Sequence, residues 1–176
     1  SRSLTVNGVE AKVVSAWLNG SREISRESLK DALIPISGEV SVLMPPDRMA
    51  ESMDMVCHTD GMTIVQRIVE LARVMSDVIL VDTGGRLGPA TGAIMRAADQ
   101  VVIVIDDTIL GLTAVDLYLT YIKTLVGGTD RIVFAVNTSG TFLGVSQIAA
   151  ELEPAHHLGE APWRLPPVPN DPKASF

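Results

Sequence analysis

The sequence predicts an α/β fold, a doubly wound and mainly parallel sheet with helices on both faces, and three runs predict it. Val78–Asp82, Gln100–Ile105 and Arg131–Asn137 are short apolar segments without polar–apolar alternation, the pattern of strands covered on both sides. Segments with helical apolar spacing alternate with them, which is the βαβ order of a parallel sheet. A length of 176 residues and a hydrophobic content of 47% suffice for one well-buried domain over residues 1–176.

Taken in order, residues 1–24 admit two readings. Leu4–Val6, Asn7-Gly8 and Val9–Val14 fit a hairpin around an Asn-Gly turn, whereas Val6, Val9, Val13, Ala16 and Trp17 fit a helical face; the helix is preferred from Val9 onward. Ser25 is placed to cap a short helix through Leu33, stopped by Pro35, and Val40–Leu43 reads as a strand ending at Pro45-Pro46-Asp47. Asp47–Thr59 reads as a loop with one helical turn, its Met49, Met53 and Met55 filling gaps. From Asp60 to about Ser76, Ile64, Ile68, Leu71, Ala72 and Met75 form the stripe of an amphipathic helix.

Beyond the Val78–Asp82 run, Pro89 opens a helix to about Ala98, at the position where its missing N–H costs least. Leu112, Val115, Leu119 and Ile122 mark a helix from about Leu112 to Leu125, ended by Gly127-Gly128. A Thr/Ser/Gly loop follows Asn137, then a helix near Val145–Leu152. Five prolines after Glu160 predict one short strand around Ala161–Leu165 and an irregular tail over 166–176.

Composition narrows the function classes. With a net charge of −7 and 14 basic residues scattered among acids, no basic stripe for nucleic acid is visible. No apolar run approaches the ~20 residues of a membrane span, and no signal-peptide core follows Ser1-Arg2. The single cysteine, Cys57, has no disulfide partner in the chain and reads as packing, and a reducing cytoplasm is the expected setting. His156-His157 lack an acidic partner at ligand spacing and read as surface residues.

Chemistry is expected where parallel strands end, because such sheets bind ligands at their carboxyl edge. Asp82-Thr83 has the form of an acid that holds Mg²⁺, directly or through water, beside a nucleotide phosphate; the competing role is to cap the next turn through the Gly84 or Gly85 amide. Arg86 is either a phosphate or interface ligand or a solvated loop residue. Asp106-Asp107 fit a helix N-cap or a surface role, and Asn137 fits either an Asx turn or a base contact.

The stretch DVILVDTGGRLGPATGAIMRAADQVVIVID, residues 77–106, resembles the ParA/MinD superfamily of deviant-Walker ATPases, most of all its CpaE/TadZ branch. There a strand-end Asp is followed by a short loop, an Arg, a Leu and a helix entering through Pro and Thr. The similarity extends over roughly residues 25–168, through Ser28–Leu33, Val40–Pro46, Asp106-Asp107-Thr108 with Leu112 and Ala114, and Val133–Asn137.

The resemblance implies a P-loop NTPase fold, ATP and Mg²⁺ as cofactors, and Asp82 as catalytic and metal-holding carboxylate. It implies nucleotide binding by Thr83, Arg86 and Asn137, with Asn137 at the adenine, and places Asp106 and Asp107 near a homodimer interface. By the same resemblance the protein is a nucleotide-dependent switch that positions a Tad/Flp pilus or secretion machine, in the cytoplasm or peripherally at the inner membrane or cell pole.

Two departures stand against it. All four lysines, Lys12, Lys30, Lys123 and Lys173, follow a non-glycine residue, so the chain contains no Walker A loop, and Val13–Leu18 offers none of the family's acid. Either a phosphate loop precedes Ser1 in the native protein, or the chain is a degenerate, non-hydrolysing scaffold of the same fold. A receiver domain fits worse, since only 69 residues follow Asp107 and Asp82 precedes the acidic pair. The acidic balance also disfavours a DNA-partition ATPase.

Overall fold

The computed structural model describes residues 9–46, 48–85, 87–138, 143–156 and 168–169, and its chain divides into two compact units, 1–94 and 95–176.

In the first unit, α1 (Val9–Leu18) bears out the helical reading of that segment. The next helix, α2 (Arg26–Ala32), starts where Ser25 predicts. The Ser25 hydroxyl accepts the Ser28 amide, and the Ser28 hydroxyl accepts the Ser25 amide at 2.9 Å, so two amides that the helix cannot satisfy are paired locally. Pro35 does not merely stop this helix. It lies within β1 (Leu33–Ser37), which pairs antiparallel with β2 (Val40–Leu43), the chain turning through Gly38 at φ 55°. A two-stranded ribbon is all edge, so a proline without an N–H is tolerated there.

The expected loop over Asp47–Thr59 is a helix, α3 (Met49–Cys57), which passes through His58 into α4 (Thr59–Met75). Gly61 permits this corner, because a Cβ there would sit 2.3 Å from the Met55 carbonyl oxygen. Trp17, Val13 and Val14 of α1, Leu29 and Ala32 of α2, and Ile68 and Leu71 of α4 form the core. Met55, Leu33 and Leu43 pack against it, so one of the three methionines fills a gap as expected; Met53 is exposed. Cys57 is exposed as well, not packed.

Residues 76–83 form neither helix nor ladder, and Leu80 is 91% exposed. The expected buried strand Val78–Asp82 therefore has no paired edge among the described residues; Val78 and Val81 are exposed too, and Ile79 is half-buried. Next, α5 (Pro89–Ala97) begins on its proline as predicted.

The second unit is a parallel sheet in the order β3 (Val101–Asp106), β4 (Ile132–Thr138), β5 (Val168–Pro169). Between β3 and β4 the chain forms α6 (Ile109–Val126), and after β4 it forms α7 (Val145–His156). Thr108 caps α6 by accepting the Gly111 amide at 3.0 Å, and Gly127 ends it in the left-handed region at φ 78°. Buried residues 132–136 of β4 and Ile105, Leu119, Ile122, Ile148 and Leu152 make the core. Arg131 closes one end by donating to the Ala98 carbonyl at 2.7 Å, the Arg96 carbonyl and the Val126 carbonyl at the end of α6.

Three details differ from the sequence reading. Helix α6 starts earlier, at Ile109; it is 18 residues long and apolar enough by length and composition to cross a membrane, with Asp116 and Lys123 along it. Helix α7 continues through Pro154 to His156. Val168-Pro169, within the tail expected to be irregular, pair with Asn137-Thr138, while Ala161–Leu165 lie outside the described residues.

Candidate functional site

The carboxyl edge of β3 and β4 gathers the polar residues of the second unit. The parallel register sets Asp106 opposite Asn137, and the Asn137 side-chain amide donates to the Asp106 carboxylate at 3.1 Å. Both residues lie at the end of the β3–β4 ladder, so their spacing follows from strand register. Asp107, one residue on, is 2% exposed; its N–H donates to the Asn137 carbonyl at 3.3 Å and its carbonyl accepts the Leu143 amide at 3.0 Å. The chain is thereby locked on both sides of the acidic pair.

Immediately after, Thr108 turns the chain into α6. Gly111 lies so close to the end of β3 that a Cβ on it would be 2.6 Å from the Asp106 carbonyl oxygen. The start of a helix carries partial positive charge, so Asp106 and Asp107 sit where a carboxylate is favoured. On β4, β5 joins Asn137 and Thr138 from the far side.

Asn137 is the residue with recognition chemistry to offer. One amide hydrogen is given to Asp106; a carboxamide also has a carbonyl oxygen and a second N–H, the kind of donor–acceptor pair that reads a purine edge. The described bond of this side chain is the one to Asp106; the residue whose amide an Asx turn would use, Ser139, lies outside the described residues.

Asp82 and Thr83 belong to the first unit. The Asp82 carboxylate is exposed and its Oδ1 accepts the Gly84 amide at 2.8 Å, with Gly84 at φ 58°, so it makes the turn-capping bond that competed with the metal role. Thr83 donates weakly to the Gly84 carbonyl at 3.3 Å. Arg86 lies outside the described residues. Among the described residues no group of three or more His, Cys, Asp or Glu side chains is placed to hold a metal ion. One carboxylate supplies a single Mg²⁺ ligand, and the remaining positions would fall to water and phosphate oxygens.

Sequence reasoning missed two features. Thr108 and Gly111 were hidden because Gly lowers helix propensity, and the Thr-x-x-Gly spacing of a capped first turn is the signal that could have found them. His156 is no surface residue. It is 5% exposed, with Nε2 2.8 Å from the Asp116 carboxylate of α6, and its carbonyl accepts the Lys123 ammonium at 2.7 Å. The partner is 40 residues away in sequence, beyond the reach of local spacing. His157 lies outside the described residues.

No family model, curated protein or solved structure matches the chain.

Proposed function

We propose that the chain is a ParA/MinD-like module, of the CpaE/TadZ type, that positions a partner machine such as a pilus or secretion assembly and does so as an adenine-nucleotide-dependent switch. In this reading β3, β4 and β5 are part of a larger doubly wound, mainly parallel sheet. The observation that carries it is the Asp106–Asn137 pair at the carboxyl edge of a parallel β–α–β unit, with a capped helix starting beside it. Asn137 would take the base, Asp82 would hold Mg²⁺ directly or through water, and Thr83 and Arg86 would contact phosphate. Mg²⁺ would supply charge neutralisation at the phosphates.

The switch works by population shift: nucleotide binds one assembly state better than the other and so favours it. The setting proposed is cytoplasmic, or peripheral at an inner membrane or pole. A second reading, a scaffold that localises partners by protein contacts alone, is favoured by one observation, the engagement of Asp82 with its own turn. The test is co-sedimentation of partner proteins from a cell extract on the immobilised chain with and without ATP–Mg²⁺. Nucleotide-dependent capture that Asn137→Ala abolishes supports the switch; identical capture in both conditions supports the scaffold.

A further inference from the structure

Helix α1 gives way to Asn19-Gly20, and the amides at that end are held unequally. The Asn19 amide still donates to the Ser15 carbonyl at 3.1 Å, whereas the Gly20 amide reaches back only as far as the Trp17 carbonyl, at 3.2 Å. Gly20 sits at φ 71°, a left-handed conformation that glycine adopts without steric cost, and a Cβ placed on it would meet nothing within 4 Å. Asn19, Gly20 and Ser21 are all exposed.

The Asn19 side chain is bonded into the same turn. Its Oδ1 accepts the Ser21 amide at 3.0 Å, closing a hydrogen-bonded ring that contains the Gly20 peptide. Only Cβ, Cα and the carbonyl carbon separate Asn19 Cγ from the Gly20 nitrogen, so a bond between the two closes a five-membered ring. The Ser21 N–H is at hydrogen-bond distance from the oxygen that takes negative charge when the carboxamide is attacked. That is how backbone donors stabilise tetrahedral intermediates.

We propose that Asn19 is a site of spontaneous covalent modification, converting in the native chain to isoaspartate through a succinimide formed with the Gly20 nitrogen. Hydroxide removes the Gly20 amide proton, and the nitrogen attacks Asn19 Cγ. The N–Cγ bond forms and the Cγ–Nδ2 bond breaks, the departing nitrogen taking a proton from water and leaving as ammonia. Water then opens the ring. Cleavage at Cγ gives aspartate, and cleavage at the Asn19 main-chain carbonyl gives isoaspartate, with Gly20 joined through Cγ. No oxidant or reductant takes part. The Gly20–Trp17 bond must open first, and it lies at a helix end, where opening costs little.

Isoaspartate adds a carbon to the main chain and a negative charge at the C-terminal end of α1, where the helix dipole disfavours it. Trp17, 3% exposed and in the core of the first unit, is close by in the chain, so the end of α1 is expected to loosen. None of these steps involves nucleotide, and the site stands whether or not the switch reading does.

The native chain and the same chain unfolded in urea are incubated side by side in mildly alkaline buffer and followed by peptide mass mapping. Electron-transfer fragmentation distinguishes isoaspartate from aspartate. In the native chain Asn19 should convert with isoaspartate in excess, in proportion to hydroxide concentration and at no less than about a tenth of the unfolded rate, since local opening suffices. Asn137, followed by β-branched Thr138 and held in the β4 ladder, should convert at least about tenfold more slowly. Asn19→Gln, which would have to close a larger ring, should stay unconverted over the same period. The purified isoaspartyl form should exchange the amides of residues 15–18 faster than Asn19→Asp, which carries the charge without the added carbon. A native rate below the stated fraction, a rate at Asn19 no faster than at Asn137, or conversion to aspartate alone overturns the inference. Equal exchange in the isoaspartyl form and Asn19→Asp overturns the loosening of α1.

Discussion

Replacing Gly111 by alanine sets two effects against each other, and the structure decides between them. In an exposed helix interior, Gly→Ala gains about 1 kcal/mol. Here the new Cβ would meet the Asp106 carbonyl oxygen at 2.6 Å and its carbon at 3.3 Å. A carbon–oxygen contact settles at about 3.3 Å or more, so the helix start and strand end must part by several tenths of an ångström. The obstacle is backbone at the end of a ladder, held by the Asp107 N–H to the Asn137 carbonyl, and it cannot rotate away as a side chain could. Overpacking of this kind costs about 1–3 kcal/mol, and the rigid partner puts it in the upper part of that range. A net loss of about 1–2 kcal/mol is expected.

The assay is amide hydrogen exchange of β3 and β4, which reports this unit separately from the other. Exchange in Gly111→Ala should rise about 5- to 30-fold. Thr113→Ala, on the exposed side of the same turn, should slow exchange slightly through helix propensity alone. Equal or greater protection in Gly111→Ala would refute the close approach of α6 to β3.

Other substitutions probe other joints. Ser25→Ala removes the acceptor of the capping box and should lower stability by about 0.5–2 kcal/mol in urea unfolding of the first unit. Leu119→Ala, at a fully buried site, should cost about 2–5 kcal/mol, whereas Leu117→Ala, two residues away and 71% exposed, should stay within about 0.5 kcal/mol. Arg131→Ala leaves three carbonyls without their charged donor and should cost about 1.5–3 kcal/mol, read as earlier thermal melting by circular dichroism.

What could be read from sequence was set by how local the determining physics is. Ser25 caps α2 through residues three positions away, and Pro89 and Gly127 mark helix ends by backbone geometry, so all three were legible. The runs of β3 and β4 were legible because continuous apolar character survives without knowing the partner. Pro35 misled, since a proline that stops a helix also fits an edge strand, and the antiparallel partner that decides it lies beyond a turn. The Val78–Val81 run shows the limit of pattern reading: apolar residues state what a segment can bury, not which partner buries it. Of the site, Asp106 and Asn137 were named separately from sequence, but their hydrogen bond depends on register across 31 positions. The pairing of His156 with Asp116 depends likewise on how α7 packs on α6.

The most direct test of the nucleotide-switch proposal is calorimetric titration with ATP–Mg²⁺ of this 176-residue chain and of the native protein carrying whatever precedes Ser1. Phosphoryl groups are held by backbone amides and a lysine that this sequence does not supply, and Mg²⁺ on one carboxylate has little to bridge without them. The account predicts no micromolar binding by the chain alone, and micromolar binding by the longer protein that Asn137→Ala weakens at least about tenfold, the loss of one bidentate base contact. Micromolar binding by the 176-residue chain itself would contradict the placement of the phosphate site, and binding by neither would contradict the switch.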